Sequence, residues 1–460
     1  MTSPAEPTGE ELSRQLGVGQ LSMIAIGGAI GTGLFLGSSL TVHIAGPAVI
    51  LSYILGAAIT LIFMGALSEM AVAHPTAGSF GVYAEKYVNP WAGFTVRYTY
   101  WACQCIAIGN EAIAIAIYCQ WWFPHTSRWL WVLAFSVALI AVNARSVGSF
   151  GWFEYWFSMI KVIAIVIFIV LGVGAIFGFA GTPIGLTNYT SHGGFFPHGV
   201  SAVWMAMVIV ILSYTGTEVA AVTAGEAKDP DVAIPRALRQ TVGRLLVFYL
   251  GAITVLVGLV PWNQIQPGET VTTSPFVRVF ELMDVPAAAT IVNFVVISAA
   301  ASSMNCNFYL VSRMMFSLSR GGYAPAAFGR LSKRGVPVPA LLASTVGLAI
   351  ALAVTVIYPK IAFVYLYGVS LFGILFVWLM IFVTHIRFRP RWEAAGGRRL
   401  PARLIGYPYT SILGAVVMVA ILATTWWLKD MRITLIAGIP WLGALTVIYF
   451  IVKRRRALPP

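Results

Sequence analysis

Twelve times along this chain, a stretch of apolar residues long enough to cross a bilayer passes with hardly a charge in it. The runs lie near 21–40, 47–70, 97–119, 129–145, 153–179, 199–225, 243–262, 286–312, 338–358, 361–386, 409–428 and 433–452. Roughly 20 apolar residues, rising 1.5 Å each as a helix, match a hydrocarbon core of about 30 Å. Lipid offers no partner to a backbone N–H or C=O, and a helix satisfies both within the run itself. Composition agrees, with 59% of the 460 residues hydrophobic and 10% charged. Soluble domains average about 25% charged, and no soluble core hides this much apolar surface. The chain reads as an all-α multi-pass membrane protein of twelve helices, with the lipid bilayer as its solvent.

The net charge of +13 does not point to nucleic acid once its distribution is followed. Counting loops from an inside start, inside segments carry 22 basic residues, from Arg14 through the six in 387–403 to KRRR at 453–456. Outside segments carry five: Arg128, Arg278, Lys360, Lys429 and Arg432. This asymmetry is the positive-inside signal, and it predicts both termini in the cytoplasm of a cell with an inner membrane. Residues 1–20 are polar and mildly acidic, without the basic start of a cleaved signal. They are expected to form a cytoplasmic tail, as are residues 453–460, with 387–408 a basic cytoplasmic loop.

The first run contains GGAIGTG, residues 27–33. Each glycine costs a helix interior about 1 kcal/mol relative to alanine, so this segment predicts a break. The sixth run has its own interruption, SYTGTE at 213–218. Two interruptions five runs apart place the breaks at matching positions of two halves, about 21–180 and 199–386. Since five is odd, the second half must be inverted relative to the first. Paired breaks of this kind point to a transporter binding site. The competing reading of GGAIGTG is a small-residue packing face, since Gly27/Gly31 and Gly33/Gly37 fit GxxxG.

Breaking a membrane helix frees peptide groups that lipid cannot satisfy. N–H groups near Thr32 and Gly33 suit a carboxylate, and carbonyls near Gly28 and Ala29 suit an ammonium. An α-amino acid carries both. The candidate substrate contacts are therefore Gly28, Ala29, Ile30, Gly31, Thr32 and Gly33 on the first break. On the second they are Tyr214, Thr215, Gly216, Thr217 and Glu218. Thr215 and Glu218 have capping-box spacing, so Glu218 either caps the second half-helix or faces substrate or proton. Tyr214 either closes over the substrate as a gate or packs in the core.

Four stretches carry a further likeness: IGGAIGTGLFLGSS (26–39), AHPTAGSFGVYAEKYVNPWAGF (73–94), GTEVAAVTAGEAKDPDVAIPRA (216–237) and VSRMMFSLSRGGYAPAAFGRLSKRGVPVPALL (311–342). Together they resemble the bacterial amino acid permeases of the amino acid–polyamine–organocation superfamily. The resemblance implies a 5+5 inverted repeat with broken helices 1 and 6, and two additional C-terminal helices within 409–452. It also implies alternating access and a substrate backbone held at the two breaks.

Ionisable side chains inside a membrane are expensive and default to functional roles. Lys161 lies roughly 16 Å into its run at 1.5 Å per residue, near mid-membrane. WFSMIKV (156–162) resembles the family segment whose lysine stands where sodium-coupled relatives hold an ion, which implies proton coupling through Lys161. The alternative is a structural lysine bonded to the carbonyls of the first break. Glu111, in the third run, is a candidate for substrate contact and a second proton site, or else a structural carboxyl. Glu226 and Asp229, with Arg236 and Arg239 nearby, form a candidate inside gate or a solvated loop. Glu69 and Arg97 read as interfacial anchors, and Trp121, Trp122, Trp426 and Trp427 as an aromatic belt. Asn305 and Asn307 are weaker pocket candidates.

Cys103, Cys105, Cys119 and Cys306 all fall in apolar runs and read as small apolar residues. The six histidines are scattered without metal-ligand spacing. GGAIGTG lacks the lysine of a phosphate loop and follows no strand. No enzyme, metal or cofactor is expected, and no ATP-binding segment is present, so an ion gradient is the expected energy source. The leading expectation is proton-coupled import of neutral or aromatic L-amino acids. Its rivals are an exchanger without net proton coupling, a permease for cationic amino acids, and an amino acid sensor that moves nothing; tails of about 20 and 8 residues argue against the last.

Overall fold

The structure, a computed structural model, describes residues 16–35, 37–76, 78–179, 182–265, 275–282, 286–357 and 362–457. Arg14 and Lys360 of the charge asymmetry, and most of the expected N-terminal tail, lie outside the described residues. Helices follow one another as α1 (Val18–Ala29), α2 (Thr32–Phe35), α3 (Gly37–Ala45), α4 (Val49–Ala73), α5 (Ser79–Tyr87), α6 (Pro90–Trp122), α7 (Arg128–Arg145), α8 (Val147–Phe177) and α9 (Ser201–Ser213). They continue as α10 (Val219–Val222), α11 (Pro230–Leu259), α12 (Pro275–Leu282), α13 (Ala288–Arg320), α14 (Val338–Ala343), α15 (Val346–Ile357), α16 (Ala362–Ala394), α17 (Tyr409–Thr424) and α18 (Ile433–Ala457). The protein is an all-helical, multi-pass membrane protein. Among the described residues eight helical runs are long and apolar enough to cross a membrane, and four shorter apolar helices accompany them.

Helix starts follow local chemistry. Asn89 caps α6, its side chain accepting from Ala92 N at 2.8 Å, with Pro90 as the first helical residue; that proline's missing N–H costs nothing there. Ser146 caps α8 in the same way through Ser149 N. The end of α16 differs from expectation. It continues to Ala394, so the first third of the expected basic loop is helical. Arg389 explains the extension: its guanidinium holds buried Glu69 of α4 together with His385, which is 2.9 Å away. Glu69 and Arg97 are thus buried ion-cluster members, not interfacial anchors, and Arg97 binds Glu85.

Burial sorts the helices into shells. α6 and α13 pack extensively on each other at the centre, with α1 beside them. α7, α8 and α18 leave large apolar side chains outside, among them Trp152, Ile163, Val166 and Val170 on α8. Such a surface is a liability in water and the ordinary outer face of a membrane protein. Trp121, Trp122, Trp426 and Trp427 are exposed at helix ends, and the four cysteines are buried free thiols.

Candidate functional site

Both expected breaks are present. α1 ends at Ala29, Ile30 leaves helical geometry, and α2 begins at Thr32. α9 ends at Ser213 and α10 does not begin until Val219. The breaks meet backbone to backbone. Gly216 adopts φ +90°, and a Cβ there would overlap the Gly28 carbonyl and sit 2.7 Å from Ala29 N. Only glycine allows both that conformation and that approach.

The freed carbonyls of α1 have defined partners. Lys161 Nζ donates to Gly27 O at 2.6 Å, to Ile30 O at 2.8 Å and to Ser302 Oγ at 2.8 Å. Tyr249 donates its hydroxyl to Ala29 O at 2.7 Å. So Lys161, 0% exposed, sits behind the first break and holds its carbonyls, which is the structural arrangement considered for it.

Beside the breaks lies a cavity of about 80 Å³. Gly28, Ala29, Gly31, Thr32, Gly33, Glu111, Thr215 and Gly216 line it, as expected for a substrate site, and Asn307 does too. Gln104, Asn110, Ser303, Tyr367 and Ser370 complete its polar wall. Gln104, Tyr367 and Ser370 carry no sequence signal beyond a polar residue within an apolar helix, whereas Asn110 adjoins Glu111 and Ser303 lies two residues before Asn305. Glu111 is buried with Ser303 and Thr32 beside it, and its Oε2 has no hydrogen bond within the protein. Burying an unpartnered acceptor costs about 1–3 kcal/mol, and more when it is charged, so this oxygen favours an external donor.

Four residues expected at the substrate lie outside the cavity lining. Ile30 is fully buried. Tyr214 does not close over the site; its hydroxyl donates to Tyr53 O at 2.9 Å and its ring packs on Tyr53 and Tyr249. Thr217 donates to Tyr214 O at 3.0 Å. Glu218 takes the orphaned Gly216 N–H at 3.0 Å and the Tyr100 hydroxyl at 3.2 Å. The expected capping box does not form, because the Thr215 hydroxyl donates back to Leu212 O, the turn-closing bond open to a threonine at a helix end.

The expected pairing of Glu226 with Arg236 is also corrected. Arg236 and Arg239 are exposed on α11, where their long side chains keep their charges in solvent. Glu226 is buried and binds Arg313 of α13, with Arg313 Nη2 at 3.1 Å and the Tyr309 hydroxyl also donating. Arg313 lies 3.7 Å over the Tyr309 ring. Leu16 pairs with the same strand of chain, its N–H on Glu226 O and its carbonyl accepting from Lys228 N. Arg313→Gln strands the Glu226 carboxylate, and removing one partner of a buried pair costs about 3–5 kcal/mol. The expected result is a marked drop in unfolding temperature in detergent; an unchanged temperature would show that the pair contributes nothing.

Residues 20–458 match a family model described as amino acid permease. The chain is 39% identical over 447 residues to a gamma-aminobutyric acid permease of Bacillus subtilis, covering 97% of this chain and 94% of that protein. It is 38% identical to a probable threonine/serine transporter of the same organism, with 96% and 95% covered. The aromatic amino acid transport protein AroP of Escherichia coli is 37% identical, with 97% of each covered. Among solved structures, a manganese transporter from Eremococcus coleocola superposes with a TM-score of 0.59 at 11% identity, covering 95% of this chain and 94% of that one; that likeness speaks to fold alone.

Proposed function

This chain belongs to the amino acid permease family, and on that premise we propose that it imports neutral L-amino acids with small or polar side chains, driven by protons, by alternating access. The observation that carries the reading is the cavity where both breaks meet, with Glu111 Oε2 unpartnered on its wall. The substrate ammonium binds Glu111, and the first N–H groups after the break at Thr32, which have no carbonyl one turn back, receive the carboxylate. A cavity of about 150 Å³ accommodates a benzene ring, and this one measures about 80 Å³. In this conformation it favours small substrates such as threonine over aromatic ones. The 37% identity to an aromatic transporter supports the second reading, in which the wall widens for a ring.

Lys161 carries the coupling proton in this reading. Both termini and the basic loops face the cytoplasm, and residues 21–180 and 199–386 form the two inverted halves. Proteoliposomes with labelled L-threonine and an imposed pH gradient, acid outside, test these points. Uptake should follow the gradient and be competed by serine and alanine. Competition by phenylalanine at lower concentration than serine would overturn the substrate class, and competition by lysine or arginine alone would point to a cationic permease.

A further inference from the structure

Lys161 has a carboxylate neighbour on its own helix. Glu154, Ser158 and Lys161 stand at i, i+4 and i+7 of α8, so one face carries all three. Glu154 and Lys161 are both 0% exposed. Ser302 of α13 stands between them, its Oγ accepting from Lys161 Nζ at 2.8 Å while its hydroxyl donates to Glu154 Oε1. The other Glu154 oxygen accepts from Asn305 Nδ2 at 3.0 Å, and Asn305 is fixed in turn by Asn143 at 2.8 Å. Glu154 also presses on the start of the break: a Cβ at Gly27 would meet its carboxyl group.

We propose that Glu154 is the second station of the coupling proton, exchanging it with Lys161 through the Ser302 hydroxyl. The inference rests on the proton-coupled reading above. The three N–H bonds of the Lys161 ammonium are all used, on Gly27 O, Ile30 O and Ser302 Oγ, which is the full donor complement of that group. Transfer breaks the Nζ–H bond toward Ser302 and forms a new O–H bond there. The original Ser302 O–H bond breaks, and its proton joins Glu154 Oε1. Ammonium and carboxylate become amine and carboxylic acid, with no charge created in the membrane. The chain of bonds reverses direction and stays complete. The amine keeps two N–H groups for Gly27 O and Ile30 O, and its lone pair accepts from Ser302.

Those two bonds then change from charge-assisted to neutral, roughly half as strong. The grip on the first break therefore depends on which station holds the proton. A lone buried charge is costly, so a paired carboxylate gives the proton a place to go without exposing one. The other titratable groups near the pair are Glu111 of α6 and Cys306 of α13, with Tyr249 of α11 on the adjacent Ala29 carbonyl. α1 contributes none, and the two of α7, Arg128 and Arg145, are at its ends.

The test uses the full chain in proteoliposomes, comparing wild type, Glu154→Gln and Ser302→Ala. Ser302→Ala keeps both charged groups and removes only the bridging hydroxyl, so it guards against a folding defect in Glu154→Gln. Each protein is assayed for uptake driven by a pH gradient, for its pH profile, and for counterflow exchange of labelled threonine without a gradient. Both variants should lose gradient-driven accumulation on the order of tenfold, the usual scale of a coupling between two ligands. Exchange should persist, and the pH dependence should flatten. A wild type indifferent to the gradient takes down the coupling reading and this one with it. A wild type that couples alongside variants that couple equally well takes down this one alone.

Discussion

Gly216→Ala is expected to abolish transport and to destabilise the protein by about 2–4 kcal/mol, the sum of a left-handed backbone strained by a Cβ and an overpacked contact. The contact is with backbone. A methyl at 216 overlaps the Gly28 carbonyl and lies 2.7 Å from Ala29 N, and neither can rotate away as a side chain would. The two breaks must separate, taking the cavity wall with them. Gly243→Ala is the control, since Gly243 is exposed on α11 and a Cβ there meets nothing within 4 Å. It should be neutral or stabilise by up to about 1 kcal/mol through helix propensity. Unfolding temperature in detergent and uptake in vesicles read both. A Gly216→Ala protein that transports as wild type would show that the breaks do not need their close approach.

Lys161→Gln should eliminate accumulation driven by a pH gradient. The substitution removes the ammonium that satisfies Gly27 O and Ile30 O and leaves Glu154 buried without its cation. Losing one member of such a pair costs about 3–5 kcal/mol, so the variant should also unfold at lower temperature. Lys161→Arg is not a rescue, because a planar fork does not reproduce three divergent bonds from one nitrogen. Counterflow exchange separates the outcomes. Exchange without accumulation marks Lys161 as the coupling group. Undiminished accumulation by Lys161→Gln would assign the coupling to another group.

The parts of this molecule that sequence reveals are those where a residue type violates its surroundings. Glycines 27, 28, 31 and 33 stand out because four fall within seven residues, and the SYTGTE segment because a glycine and a glutamate interrupt an apolar run; both breaks fall there. Lys161 stands out for the same reason. Glu154 has equal claim, on the same helical face at i−7, yet it sits nearer the end of its run, where a carboxylate reads as interfacial. The Glu226–Arg313 pair spans 87 residues, and no local spacing announces it; Arg236 and Arg239 are merely closer along the chain. Thr215 and Glu218 have the spacing of a cap, but the helix they were to cap starts only at Val219. Gln104 reaches the cavity from α6, Ser303 from α13, and Tyr367 and Ser370 from α16, and their convergence exists only in three dimensions.

Leu16 is stitched to residues 226 and 228, while twelve residues further on Gly28 is wedged against Gly216. Two such fastenings, one near each end of α1, leave that helix no freedom to pivot independently of the segment from 216 to 228. A rocking step that opened a path past one of them would have to swing both as a single lever, with the stroke delivered against α8, α11 and α13.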